Sequence, residues 1–342
     1  MRVRQIAEAL CGAQATIRCF SLGSRRGAAK LNVMSMKVPD RDEWFPLSGD
    51  LPRPDWLAIQ AWMDNAVSSD DYDAAIEQLT AHWLRRLAAA LGDTHSLHET
   101  EHYFFITTRD ASSTKATAEM LDKARDHVLR TLGKASGIRH VRKFIIMRLA
   151  NEDAVCSVWE SVQPDSPLAS LFFTPGIWPL LYTEKRRPSD EYWPLVGGVI
   201  DHLLSYLSPP IWIHSALGQS LRVDLLGGRF AVLDEQTHAL HQHCWNAQTI
   251  QNFWSGKTFH DDEWLYLSCN LAAVLLDIIR RELHPDFAKV QRFIQTASYE
   301  DGGESAAQRF FGISLGEIAG VFLGEETDWT PRPAAWHRGE SD

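Results

Sequence analysis

The sequence predicts an α+β fold, with a small mixed sheet and its helices first and an all-helical portion after it. Two runs carry the strand prediction. Tyr103 to Thr108 is aromatic and β-branched, and Phe144 to Leu149 is a continuous apolar run flanked by charge, as in a buried strand. Segments around and between them place apolar residues at helical spacing, and from Ser189 onward helical segments follow one another.

The elements follow in order. Residues 1–70 form an N-terminal region of unclear structure, with Thr16 to Phe20 and Leu31 to Met36 as short strands and Pro39 to Pro54 as an irregular connection. A helix over 71–91 has N-cap candidates at Ser68 to Asp71, a stripe of Leu79, Trp83, Leu84, Leu87 and Leu91, and a stop at Gly92-Asp93. Ser112 or Ser113 caps the next helix, whose stripe runs from Ala116 to Leu132 and which Gly133 ends. Leu171 to Phe173 and Trp178 to Tyr182 read as short strands around the turn Thr174-Pro175-Gly176. A helix over Ser189 to Leu207 is broken at Pro209-Pro210, and a second one ends at Gly227-Gly228. Further helices are expected over 236–254, 262–283, 285–297, 303–311 and 314–323. The expected domains are an α/β subdomain over 71–230, a helical subdomain over 231–324 and a flexible tail over 325–342.

Composition narrows the function. At 342 residues, 45% hydrophobic and 23% charged, the chain has ample material for a core, and 13 Trp predict an aromatic one. A net charge of −10 argues against a nucleic-acid binder. The absence of 18 consecutive apolar residues argues against a membrane span. Glu8 interrupts the apolar part of the N-terminus, which argues against a signal peptide. The five cysteines (Cys11, Cys19, Cys156, Cys244, Cys269) are scattered and lack a CxxC pair, which fits reduced thiols in a cytoplasm.

One motif invites a metal reading. His98-Glu99-Thr100-Glu101-His102 matches HExxH, in which two imidazoles one helical turn apart grip Zn²⁺ and the Glu takes a proton from bound water. The match has meaning only on a helix. Here Gly92-Asp93 ends a helix before it and a strand follows, so the motif is expected in a loop or at a strand entry. An active zinc peptidase using His98 and His102, with a third ligand such as Glu119, is the alternative reading.

The segments His102 to Ile106, Phe144 to Leu149, Phe173 to Trp178, Pro210-Ile211-Trp212-Ile213-His214-Ser215-Ala216-Leu217-Gly218 and Ala307 to Leu323 together resemble the gluzincin zinc peptidases, especially the bacterial peptidase-MA-like group. The resemblance covers about residues 100–325 of the chain. It implies a thermolysin-like fold with a cleft beside an active-site helix pair. It also implies that the chemistry is gone. Gly198 stands at the first His position, Val199 at the catalytic Glu position and Ser215 at the third-ligand position, and only His202 is kept. One imidazole does not hold zinc, and a valine takes no proton. The resemblance therefore implies a pseudopeptidase without cofactor, binding a peptide, a protein partner or a small molecule in a cleft lined by Trp178, Gly198, Val199, His202, Trp212 and Ser215. A further alternative is an enzyme with a repurposed site of Asp201, His202 and His214.

A second cluster, His238, His241, His243 and Cys244, has helical spacing that brings His238 and His241 to one face. The plain expectation is a helix with polar His on its outer side. Ser215 lacks the Gly-x-Ser-x-Gly surroundings of a hydrolase nucleophile.

Overall fold

Among the described residues four strands form one mixed sheet, and helices make up most of the remainder. The computed structural model describes residues 37–133, 141–162, 180–183, 188–283 and 286–336. The expected strands at 16–20, 31–36 and 171–173 lie outside these residues. So do the turn at 174–176 and Trp178.

The chain divides into two compact units, one of residues 1–122 and 140–191, the other of 123–139 and 192–342. The boundary thus falls at 191/192 and not at 230, and residues 123–139 join the second unit.

In the first unit a short hairpin, β1 (Leu47–Ser48) and β2 (Leu51–Pro52), precedes α1 (Trp56–Ala66) and α2 (Tyr72–Ala90). The Asp55 side chain accepts from Ala58 N at 3.0 Å and so starts α1. The buried face of α2 carries Leu79, Trp83, Leu84 and Leu87, and the Trp83 indole donates to Pro52 O at 3.0 Å. The sheet follows as β3 (Ser96–Glu99), β4 (Tyr103–Thr107), β5 (Phe144–Leu149) and β6 (Leu180–Thr183), in that spatial order. The β3–β4 pair is an antiparallel hairpin, whereas β4, β5 and β6 run parallel. Parallel neighbours need crossovers. These contain α3 (Ala111–Leu132) and α4 (Glu152–Val162). Every residue of β4 and β5 is buried, which explains why their sequences are mostly apolar without alternation. The α3 cap is Asp110, which accepts from Ser113 N at 2.9 Å and from Ser113 Oγ at 2.8 Å, so neither Ser112 nor Ser113 is the cap.

The second unit holds α5 (Pro188–Ser205, from Tyr192 on), α6 (Ile211–Leu226), α7 (Glu235–Cys244), α8 (Thr249–Trp254), α9 (Asp262–Ile278), α10 (Phe287–Thr296), α11 (Glu304–Phe311) and α12 (Leu315–Leu323). The single helix expected over 236–254 is two. Asn246 Oδ1 accepts from Gln248 N at 2.9 Å and Thr249 N at 3.0 Å, an Asx turn that breaks the helix. The end of α3 belongs here too. Gln291 and Gln295 of α10 donate to Thr131 O and Leu132 O at 2.7 and 3.1 Å. Gly133 follows at φ +75, where a Cβ would lie 2.9 Å from the Gln291 amide.

The core of this unit is aromatic, as 13 Trp led one to expect. Trp212 lies 5.7 Å from Trp254, 6.3 Å from Phe253 and 6.2 Å from Phe293, centroid to centroid. Its indole donates to Gly302 O at 2.9 Å. These contacts explain why α6 belongs with the helices and not with the sheet.

The tail differs from expectation as well. Residues 325–336 form a strap packed on this unit, with Trp329 and Trp336 buried. Trp254 Nε1 donates to Trp329 O at 2.8 Å. Gln251 reads the strap from both ends of its amide, donating to Thr330 O at 3.0 Å and accepting from Arg332 N at 2.7 Å. The two indoles are the strap's anchors. The strap crosses α12 at Gly316, where a Cβ would fall 2.7 Å from Thr330 N. Gly316→Ala is therefore expected to lift the strap and cost about 1–3 kcal/mol by overpacking. Limited proteolysis checks this, with cleavage within 325–336 accelerated in the variant.

Candidate functional site

The two helices that carry most of the residues implied by the resemblance, α5 and α6, meet within the second unit. Between them Ser208 adopts a left-handed conformation, φ 47. Pro210 then starts α6, its carbonyl accepting from Ile213 N and His214 N at 2.9 and 3.0 Å. This short connection sets the end of α5 beside the start of α6.

An ion pair holds the two together. Arg222 Nη2 donates to both carboxylate oxygens of Asp201, at 2.8 and 2.6 Å. Room for the guanidinium comes from two glycines. A Cβ at Gly197 would lie 3.1 Å from Arg222 Nε, and one at Gly218 would lie 3.3 Å from Arg222 Nη1. Each glycine stands four residues before the charged residue on its own helix, hence one turn below it on the same face. That repeated spacing, Gly-x-x-x-Asp on one helix and Gly-x-x-x-Arg on the next, is the signal through which Arg222 was legible.

The candidate residues group only in part. His214 Nε2 stands 3.8 Å from Asp201 Oδ1, beyond hydrogen-bond length. His202 is 7% exposed and packs edge-on to Tyr206, ring centroids 5.5 Å apart. Asp201 and His214 thus face each other, with Arg222 as the nearer partner, whereas His202 points into packing. Val199 is buried, and Ser215 Oγ donates to Cys269 Sγ of α9 at 3.4 Å. Gly198 is half-buried. Trp212, expected in the cleft lining, is fully buried in the aromatic core. Arg222 and Asp201 are both partly solvated, with side-chain exposures of 30% and 38%. Asp201→Ala is accordingly expected to cost only about 1 kcal/mol, checked by the denaturation midpoint.

His98 and His102 do not share a helix. His98 lies on β3 opposite Phe105, and His102 lies in the turn before β4, its carbonyl accepting from Phe144 N at 2.9 Å. Their side chains leave a hairpin, so the one-turn spacing that a zinc pair needs is missing. The would-be base Glu99 bonds Lys143, which also meets Glu77 at 3.1 Å. Burial pulls the Lys143 ammonium down, but the bonds to Glu99 and Glu77 outweigh it and leave the pKa raised. Glu119 pairs instead with Lys115 on the exposed face of α3.

The second histidine cluster also differs from expectation. His243 is exposed, but His241 is fully buried. The Trp245 indole donates to His241 Nδ1 at 2.9 Å, and His241 Nε2 meets Asn270 Oδ1 at 2.9 Å. Asn270 Nδ2 in turn donates to Val232 O at 3.3 Å. Because Nδ1 accepts, the proton sits on Nε2 and the ring is neutral. Burial lowers the His241 pKa, the Asn270 bond opposes this, and nearby His238 adds to the lowering. His238 itself meets Phe322 O at 3.0 Å through Nε2. Both rings are thus used in packing. Among the described residues no group of three or more His, Cys, Asp or Glu is arranged to hold a metal ion. No helix among them is long and apolar enough to cross a membrane. Set against known protein families, curated proteins and solved structures, the chain shows no significant match.

Proposed function

We propose that the chain is a non-catalytic, gluzincin-like protein that binds a peptide, a partner protein or a small ligand and does not cut it. The observation that carries this reading is the α5–α6 contact. Where the resemblance asks for zinc ligands and a base, this chain has Gly198, Val199 and Ser215, and the helices are joined by the Asp201–Arg222 ion pair set between Gly197 and Gly218. An ion pair fixes the helix spacing without metal, and it uses the Asp201 carboxylate beside His214. That weakens the case for an Asp201/His202/His214 enzyme. The hairpin at residues 96–107 weakens the case for an HExxH zinc peptidase.

The test is metal content of the purified protein by mass spectrometry, with thermal melts with and without a strong chelator. A folded-state zinc site raises the melting temperature by mass action, and a chelator removes that gain. The expected result is substoichiometric zinc and superimposable melts. Near-stoichiometric zinc with a chelator-sensitive melt overturns the reading.

A further inference from the structure

A separate cavity of about 330 Å³ opens in the second unit where the last turns of α6 face the end of α9. That size sits at the small end of ligand sites. Its walls include Val223, Phe230 and Phe287, and its polar groups come from Ser220, Asp224, Asp277, Arg280 and Arg281. The end of α9 is not α-helical. Ile279–Leu283 form a π turn, a widening of the helix that recurs at functional sites because it displaces a side chain from its regular face. Arg280 stands on this turn.

Arg280 is held but not neutralised. Its guanidinium donates to Ser220 Oγ and lies 6.0 Å from the Phe287 ring centroid. Among the described residues it has no carboxylate within ion-pair distance. Its neighbour Arg281 does, with Nε 2.7 Å from Asp277 Oδ1, and so does not compete for an anion. The opposite charge is also present. Asp224 lines the cavity, and His127 Nε2 lies 3.7 Å from its carboxylate, too far to bond. That nitrogen is buried without a hydrogen-bond partner. The cavity therefore presents one oriented cation, one available carboxylate and an apolar wall between aromatic rings.

We infer that this cavity binds a small zwitterion of the α-amino-acid class, with its carboxylate on Arg280, its ammonium on Asp224 and an apolar side group against Val223, Phe230 and Phe287. Charge balance selects against a polyanion, because Asp224 and Asp277 would repel it. It selects against a plain cation in the same way through Arg280. A planar guanidinium pre-set by a hydroxyl suits a carboxylate, which it engages with two parallel bonds. The inference does not rest on the proposed function, since none of these residues belongs to the Asp201–Arg222 contact.

The test is titration calorimetry of the full chain with glycine, L-leucine and L-phenylalanine, and with leucinamide and 4-methylpentanoate, which lack the carboxylate and the amine in turn. Saturable binding of leucine or phenylalanine is expected, weakened about tenfold or more in Arg280→Gln and for leucinamide. Asp224→Asn is expected to weaken the amino acids by a similar factor and to leave 4-methylpentanoate unaffected. Asp224 is exposed, so this variant decides the matter if Arg280→Gln proves unstable. No saturable binding of any amino acid up to about 10 mM, or binding indifferent to Asp224→Asn, overturns the inference.

Discussion

His241→Phe is expected to destabilise the protein by about 2–5 kcal/mol, although phenylalanine nearly fills the same space. The cost comes from what the ring leaves behind. The Trp245 indole N–H and Asn270 Oδ1 are both directed at His241 and would lose it as partner. A buried polar group stripped of its partner costs about 1–3 kcal/mol. Asn270 retains only its bond to Val232 O, so the connection between α9 and the segment before α7 loosens too. The variant should also change the acid limb of stability. The folded protein holds His241 neutral with a lowered pKa, whereas the unfolded chain protonates it near 6.5. Below about pH 6.5 the unfolded state therefore binds the extra proton, and stability falls with pH until the folded value is reached. Above about pH 6.5 neither state is protonated and the contribution is fully present. His82, also lowered by burial, acts in the same sense and remains in the variant. The difference between the two proteins in urea midpoint from pH 7.5 to 5 thus isolates His241. An unchanged midpoint at neutral pH would show that the hydrogen-bonded chain contributes nothing net.

This histidine also shows why parts of the molecule were legible in the sequence and others were not. Helical spacing placed His238 and His241 on one face, and that is correct. Spacing alone does not say whether a face meets water or core, because that depends on Asn270 and Trp245, the first of them 29 residues away. Strands of continuous apolar residues were legible for the opposite reason. In β5 every side chain is buried, so the run itself states the environment. Helix ends marked by Gly133 and Gly227 were legible because a left-handed backbone favours glycine whatever lies around it. The break between α7 and α8 was not, since Asn246 acts through its own side chain and the helical pattern continues across it. The strap over 325–336 looks like a tail in sequence because its two anchoring indoles are sparse among polar residues. Of the α5–α6 contact only the paired Gly-x-x-x spacing before Asp201 and Arg222 is written locally, whereas the pairing itself joins residues 21 apart.

Glu191→Ala is expected to cost about 3–5 kcal/mol. The apolar run of β5 contains one charged residue, Arg148, which is 8% exposed. Its Nη2 donates to Glu191 Oε1 at 2.7 Å, and Glu191 is itself 2% exposed. Arg109 donates to the other oxygen, Oε2, at 3.0 Å from a half-solvated position. One buried carboxylate thus answers a guanidinium on each of its oxygens. Removing it leaves Arg148 charged in the interior without that carboxylate, which is what makes the loss of one partner costlier than the pair is worth. Glu191→Gln keeps the shape and accepts one hydrogen bond but loses the charge, and is expected to fall between. The decisive comparison is the double variant Arg148→Met, Glu191→Leu. If the penalty of Glu191→Ala is that of a stranded charge, the double variant recovers most of the lost stability, because apolar residues of similar volume need no partner. If it remains as unstable as Glu191→Ala, the pair contributes net attraction of its own, and the coupling energy from the four-variant cycle gives its size.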